Sequence, residues 1–275
     1  MSMEAEESRI SGKRVWIMLR FLFTIWKVNL ASSLEYRISF LLMAGMMFIN
    51  NLMWLFFWSL FFHRFPVING WELNDIMMLW AVSAGGFGWA NMLFGNFHRI
   101  PSLAATGQLD VYLTQPKPVL LHLLASRMSL TAIGDFAFGL AIYGWAGDHT
   151  IQGALLFTLG LVISGCIFMF LMIAAGSLAF FFGNAEGIVQ QVFNSFVSLS
   201  TYPADIFRGA ARVFLFTIVP AGYISYLPIG LLRDQNPGFI AGAAAVTIGM
   251  GVFSTIVFHV GLRRYASGNA IVMRG

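Results

Sequence analysis

The sequence predicts an all-α polytopic membrane protein, and three observations predict it. Of its 275 residues, 58% are hydrophobic and 10% charged, at a mean hydropathy of +0.76, more apolar surface than a water-soluble domain can cover. The apolar residues gather into runs of about 20 or more, the length a helix needs to cross hydrocarbon, separated by short polar links. The 28 glycines suit close helix contacts, and the 28 phenylalanines and 8 tryptophans suit a chain whose solvent is lipid. The same arithmetic excludes other classes. A formal charge of +4 points away from nucleic acid because the basic residues are spread around the ends of apolar runs. The single cysteine, Cys166, lies inside such a run, so neither a disulfide framework nor a zinc cluster is available.

Taken in order, the N-terminal MSMEAEESRISGKR lacks the apolar core of a signal peptide and is expected to stay in the cytoplasm. Within a first unit, 1–37, Val15 to Tyr36 carries Trp16, Leu19, Phe23, Trp26 and Leu30 at helical spacing with Arg20, Lys27 and Glu35 between them, the pattern of an interfacial helix. A single transmembrane domain, 38–265, follows. Its first span, 38–62, has no charge in 25 residues and is about 37 Å long as a helix. The second, 76–97, contains GGFG at 85–88, where small side chains let helices approach. Residues 98–118 are polar, bounded by prolines, and predicted to lie outside the membrane. Spans three and four are predicted at 119–146 and 154–182.

The remainder admits two topologies. In one, 187–203 is the fifth span and 205–232, with Pro220 and Pro228, is a broken hairpin entering the outer leaflet; in the other, 187–203 lies at the cytoplasmic surface and 213–232 crosses. A last span, 239–260, ends before Arg263 and Arg264, and 266–275 is a tail. Both topologies have six spans with the termini on one side. In the first, every Lys and Arg except Arg64, Arg208, Arg212 and Arg233 lies with the termini, and in the second Arg208 and Arg212 join them. Either way the positive side, the cytoplasm, holds both termini.

No GxxxxGK[ST] loop occurs, so ATP hydrolysis by that route would need a partner. HExxH, GxSxG and clustered metal ligands are also missing, and the five histidines are scattered, so no catalytic, cofactor or metal residue is expected.

The loop 98–118 carries the clearest pattern. Pro101 can open a short helix, SLAATG, that Gly107 closes; QLDVYL then places Leu109, Tyr112 and Leu113 on one side and Asp110 on another before QPKP forces an extended exit. It reads either as a compact knob offered to another protein or as a solvated connector.

The stretch GQLDVYLTQPKPVLLHLLASR, with Gly134 and Asp135 beyond it and the later YPADIF and TIVPAGYISYLPIGLL, resembles the permeases of ABC-2-type ATP-binding-cassette exporters, in particular a six-span bacterial branch. The likeness runs over about residues 15 to 265. It implies an elbow helix at 15–36, a coupling helix after the second span, and a hydrophobic outer hairpin before the last span, which favours the first topology. It assigns ATPase docking to Ser102, Leu103, Thr106, Leu109, Asp110, Tyr112 and Leu113. It further implies a bacterial inner-membrane exporter in which two permease chains, identical or homologous, work with two ATPase subunits, with ATP and Mg on those subunits and no cofactor on this chain. A hydrophobic or amphipathic cargo, such as a drug, lipid or peptide, suits spans with few charges. The rival classes are an ATP-independent channel or carrier and a membrane scaffold.

Four polar residues fall inside spans. Asp135 lies about 12 Å beyond Arg127 along a helix and there needs a partner, either cationic cargo, Arg127 or a neighbouring helix. Gln190, Asn194 and Ser198, at i, i+4 and i+8, form one polar stripe that lines a pathway or holds helices together.

Overall fold

The structure is a computed structural model that describes residues 2–183, 185–217 and 219–265, with side chains from Val15 onward. The expected tail, 266–275, lies outside the described residues. Among the described residues the chain is helical, with no named strand. Five helices are long and apolar enough to cross a membrane, six if one bent pair counts as a span.

Helix α1 (Ser2–Glu35) runs along one end of the bundle, tied down where Trp26 Nε1 donates to Leu93 O at 2.8 Å and Asn29 Nδ2 to Ala125 O at 3.2 Å. Helix α2 (Arg37–Arg64) follows, and α3 (Leu73–Phe94) opens with a capping box in which Glu72 and Asp75 each accept the other's backbone N–H. A 3-10 turn (Gly95–Arg99) leads to α4 (Ile100–Ala105), with Pro101 in its first turn. Gly107, at φ +75°, reverses the chain into α5 (Asp110–Leu113).

The stretch read from the sequence as one span, 119–146, is two helices, α6 (Val119–Ala125) and α7 (Thr131–Ala146). Ser126 ends α6 by donating back to Leu123 O at 2.7 Å, and the polar SRMS segment turns the chain so that α7 alone enters the bundle. Helix α8 (Ile151–Ser177) is capped by Thr150, whose Oγ1 accepts the Gly153 N–H, and a short α9 (Ala179–Phe182) continues it. Then come α10 (Glu186–Ser200), α11 (Ala210–Thr217), α12 (Ala221–Leu227) with a π-helical turn (Pro228–Arg233), and α13 (Pro237–Leu262), capped by Asn236.

Lipid tails supply no hydrophobic force between helices, so their arrangement follows from how closely backbones can pack. Helix α3 is the centre: 78% of its most apolar stretch is buried, against 11% for α2 and for α13. The GGFG segment makes the seam. A Cβ on Gly86 would meet Ser164 of α8 at 2.5 Å, and one on Gly139 would meet Ala81 O of α3 at 2.6 Å, so α7 and α8 press on opposite flanks of α3. Helix α2 then packs on α7 and α13 on α8, leaving both with broad apolar faces for lipid.

The pair α11 and α12 bends by 95° at Pro220. Both of its ends are held at the end of the bundle where α3 begins. Arg212 pairs with Asp205 at 3.2 Å, Asp205 accepts the Trp71 indole N–H at 2.9 Å, and Arg233 donates to Gly70 O and to Asp75, each at 2.9 Å. Residues near both ends of the segment are thus tied to one end of the bundle, while α10 runs from beside His98 and Pro101 at the loop end toward Tyr202, which packs on Trp58.

Candidate functional site

The central cavity is built by one close crossing. Gly134 lies where α7 meets α2, and a Cβ there would collide with the carbonyl of Ala44. Two turns further along α2, Asn51 reaches across and its Nδ2 donates to Asp135 Oδ1 at 2.7 Å. Both side chains are buried, and Asp135 Oδ2 has no partner. Of the partners expected for Asp135, Arg127 is not the one: the ion pairs among the described residues all lie at the other end of the bundle. The neighbouring-helix alternative is met by Asn51.

Asp135 and Asn51 line a cavity of about 330 Å³ between α2, α3, α7, α8, α10 and α12. Its wall is largely aromatic, with Trp54 stacked on Trp80 at 5.7 Å and Phe168 against Phe196 at 5.7 Å. Ser83 closes one side by donating to Ser200 O at 3.3 Å. Of the polar stripe, only Ser198 reaches this cavity. Gln190 lines a crevice beside His98 and donates to Asn194 Oδ1 at 3.1 Å, and both stay exposed on the face of α10. The stripe is thus one exposed surface of α10, and only its Ser198 end borders the cavity.

The loop 98–118 is a folded knob whose faces differ from the expected ones. Leu103 is buried, Leu109 is fully buried, Ser102 is half-buried with its hydroxyl donating to Arg99 O, and Tyr112 turns inward. The Tyr112 hydroxyl lies 3.0 Å from Ser126 Oγ and accepts from Asn96 Nδ2 at 3.3 Å, and its ring meets the His122 ring edge-on. Asp110 faces the Tyr265 hydroxyl just beyond α13; burial, with the Asp110 carboxylate beside it, pushes that phenol up to about 12. The knob exposes Thr106, Gln108, Val111, Leu113 and Thr114, with Pro116 and Pro118 exposed on its exit. A helix of four residues has no periodicity from which to read its buried side, so Leu109 and Tyr112 look as available in the sequence as Val111.

Sequence reasoning missed Asn51, Trp54, Trp80 and Ser83 in the cavity, and Gln108 and Val111 on the knob. For Asn51 a signal was present: Asn50 and Asn51 are the only amide side chains in the span 38–62, and a polar side chain at that depth requires a partner.

A family model described as "ABC-2 family transporter protein" matches residues 48–268, which takes in the cavity, the knob and the bent hairpin. No curated protein matches the chain, and no solved structure does.

Proposed function

This chain belongs to the ABC-2 family of transporters, and from that premise we propose that it is the permease subunit of an ATP-driven exporter. Membership makes it a multi-pass membrane component of a transporter. The step to ATP-driven export rests on one observation: the knob is fastened underneath and presents Val111 and Leu113, beside the polar Thr106 and Gln108, on its exposed side. Asn96 and Ser126 tie Tyr112 to the end of α3 and to α6. A partner gripping Val111 and Leu113 would therefore move α3 and α6 together, rather than bend a slack connector. That partner is an ATPase subunit, two to a complex, carrying ATP and Mg.

A second permease chain, identical or homologous, would cover α2 and α10. Gln190 and Asn194 stay uncovered on a helix that otherwise buries Val189 and Phe196, and polar groups of this kind favour a protein-lined or watered face over lipid. In this reading α10 is the fifth crossing and α11 to α12 a re-entrant hairpin. The knob and both termini are cytoplasmic, in a bacterial inner membrane. Twelve of the 16 Lys and Arg lie on the knob side in this reading, which supports the assignment of sides, although Arg208 and Arg212 on the hairpin side count against it. Cargo is hydrophobic or amphipathic, a drug, lipid or peptide.

The test is purification of the chain from its native membrane in mild detergent, with co-purifying proteins identified and the mass of the intact complex measured. An ATPase present at two copies with two permease chains supports the reading. A folded chain that comes alone and moves solute without ATP is a channel or carrier; one that comes alone and moves nothing is a scaffold.

A further inference from the structure

We propose that the cavity beside Asp135 binds the ammonium group of a cationic amphiphile. This names the cargo class of the exporter read above, and rests on that reading.

Three features of the cavity converge on a cation. The first is charge: Asp135 is the one ionisable acid on the lining, and no Lys, Arg or His shares it. An anion would meet an uncompensated carboxylate, and a purely apolar guest would leave that carboxylate buried without a counterpart. The second is an unfilled position. Asp135 is 2% exposed; its Oδ1 takes the Asn51 amide, and its Oδ2 takes nothing. Buried polar atoms in folded proteins nearly always have partners, so this unpaired acceptor, on a residue that lines the cavity, is met when the carboxyl turns to a donor from a guest. An alkylammonium N–H supplies the donor and the positive charge in one group.

The third is the wall itself. Trp54 and Trp80 stack at 5.7 Å on this lining, and indole faces attract cations. The Trp80 indole N–H is also buried without a partner, an unmet donor that suits a guest bearing an oxygen near its amine. Phe168 and Phe196 complete an apolar surface for a hydrocarbon tail. About 330 Å³ is at the small end of ligand pockets, which run from about 300 to 1,000 Å³, so the cavity admits a headgroup with a short tail and not a folded peptide. Trp54 and Ser198 are exposed on α2 and α10, so a longer tail leaves between those helices.

The experiment uses the full chain in nanodiscs of neutral phosphatidylcholine, with empty nanodiscs subtracted. It is titrated with octylammonium, with octanol as the neutral analogue and octanoate as the anion, following tryptophan fluorescence. Octylammonium is expected to bind about tenfold or more tighter than octanol, and octanoate weakest. Asp135→Asn keeps the size of the side chain and is expected to bring octylammonium to the level of octanol while leaving octanol unchanged. Trp54→Leu, at a half-open position with the carboxyl intact, is expected to weaken octylammonium severalfold. Equal binding of octylammonium and octanol by wild type overturns the proposal, as does a preference that survives Asp135→Asn. Because no ATPase is needed, failure here leaves the exporter reading standing, and absence of an ATPase partner leaves the cation preference standing.

Discussion

Replacing Gly134 with alanine should loosen the bundle, and replacing Gly144 on the same helix should tighten it. At Gly144 an added Cβ has nothing within 4 Å, so the change gains the helix propensity of alanine, about 1 kcal/mol. At Gly134 the same Cβ meets the Ala44 carbonyl carbon at 2.9 Å and the Phe48 amide nitrogen at 3.0 Å, besides the Ala44 oxygen. Ordinary contacts are about 3.5 to 4.0 Å, so α2 must retreat by roughly 0.5 to 1 Å. Overpacking of that kind costs about 1 to 3 kcal/mol. The Asn51 to Asp135 bond, 2.7 Å long and two turns away, is stretched as well, at about 0.6 kcal/mol for an interhelical hydrogen bond in a membrane. Both changes gain the same helix propensity, so the two variants should differ by the overpacking and hydrogen-bond costs alone, about 2 to 4 kcal/mol. Cys166 is the chain's single cysteine and lies within α8, so thermal labelling by a thiol-reactive dye reports opening of the bundle from one site. At roughly 2 to 4 °C per kcal/mol, Gly134→Ala should melt about 4 to 16 °C below Gly144→Ala. Equal melting temperatures, or the reverse order, would refute the close crossing that carries the cavity.

Leu109→Glu should destabilise the chain by roughly 3 kcal/mol, because Leu109 is fully buried, whereas Val111→Glu, on the exposed face, should change the melting temperature little. Arg233→Ala should cost about 1 kcal/mol, since the guanidinium is half-exposed yet holds Gly70 O and Asp75, and limited proteolysis between 205 and 217 should quicken. In the α7 to α8 link, the Thr150 backbone N–H and hydroxyl hold the Asp148 carboxyl below its usual 3.8. A lowered folded pKa gives stability that is present above 3.8 and lost as pH falls through the lowered value. Thr150→Ala, which removes the hydroxyl and keeps the backbone N–H, should therefore lessen but not abolish the fall in melting temperature below pH 3.8. Thr150 also caps α8, so that variant should melt lower at every pH, and the change of slope is the diagnostic.

Four of the helices long and apolar enough to cross a membrane, α2, α3, α8 and α13, were legible as long uncharged runs. Val15–Glu35, read as interfacial, is also long and apolar enough, whereas α7 and α10, read as spans, are shorter. The GGFG segment was legible as a contact because small residues have few other uses inside a span. The division of 119–146 was harder. Hydropathy averages over SRMS, whose serine at 126 turns out to terminate α6 and to hold Asn96 and Tyr112. The partner of Asp135 was not legible, because a contact between residues 84 positions apart exists only once α2 and α7 cross. The i, i+4, i+8 spacing did place Gln190, Asn194 and Ser198 on one face, but not that Ser198 alone would turn to the cavity. Leu109 is fully buried and Val111 is 60% exposed, and nothing local in QLDVYL separates them.

The most direct test of the central claim compares wild type with a Val111→Glu, Leu113→Glu double variant, purified in mild detergent from the native membrane and assayed for bound ATPase and ATP hydrolysis. Both residues lie on the exposed face of the knob, so the variant should fold and melt like wild type. The account predicts that an ATPase accompanies wild type and is lost from the variant. An ATPase that stays bound to the variant, or that never accompanies folded wild type, would contradict it.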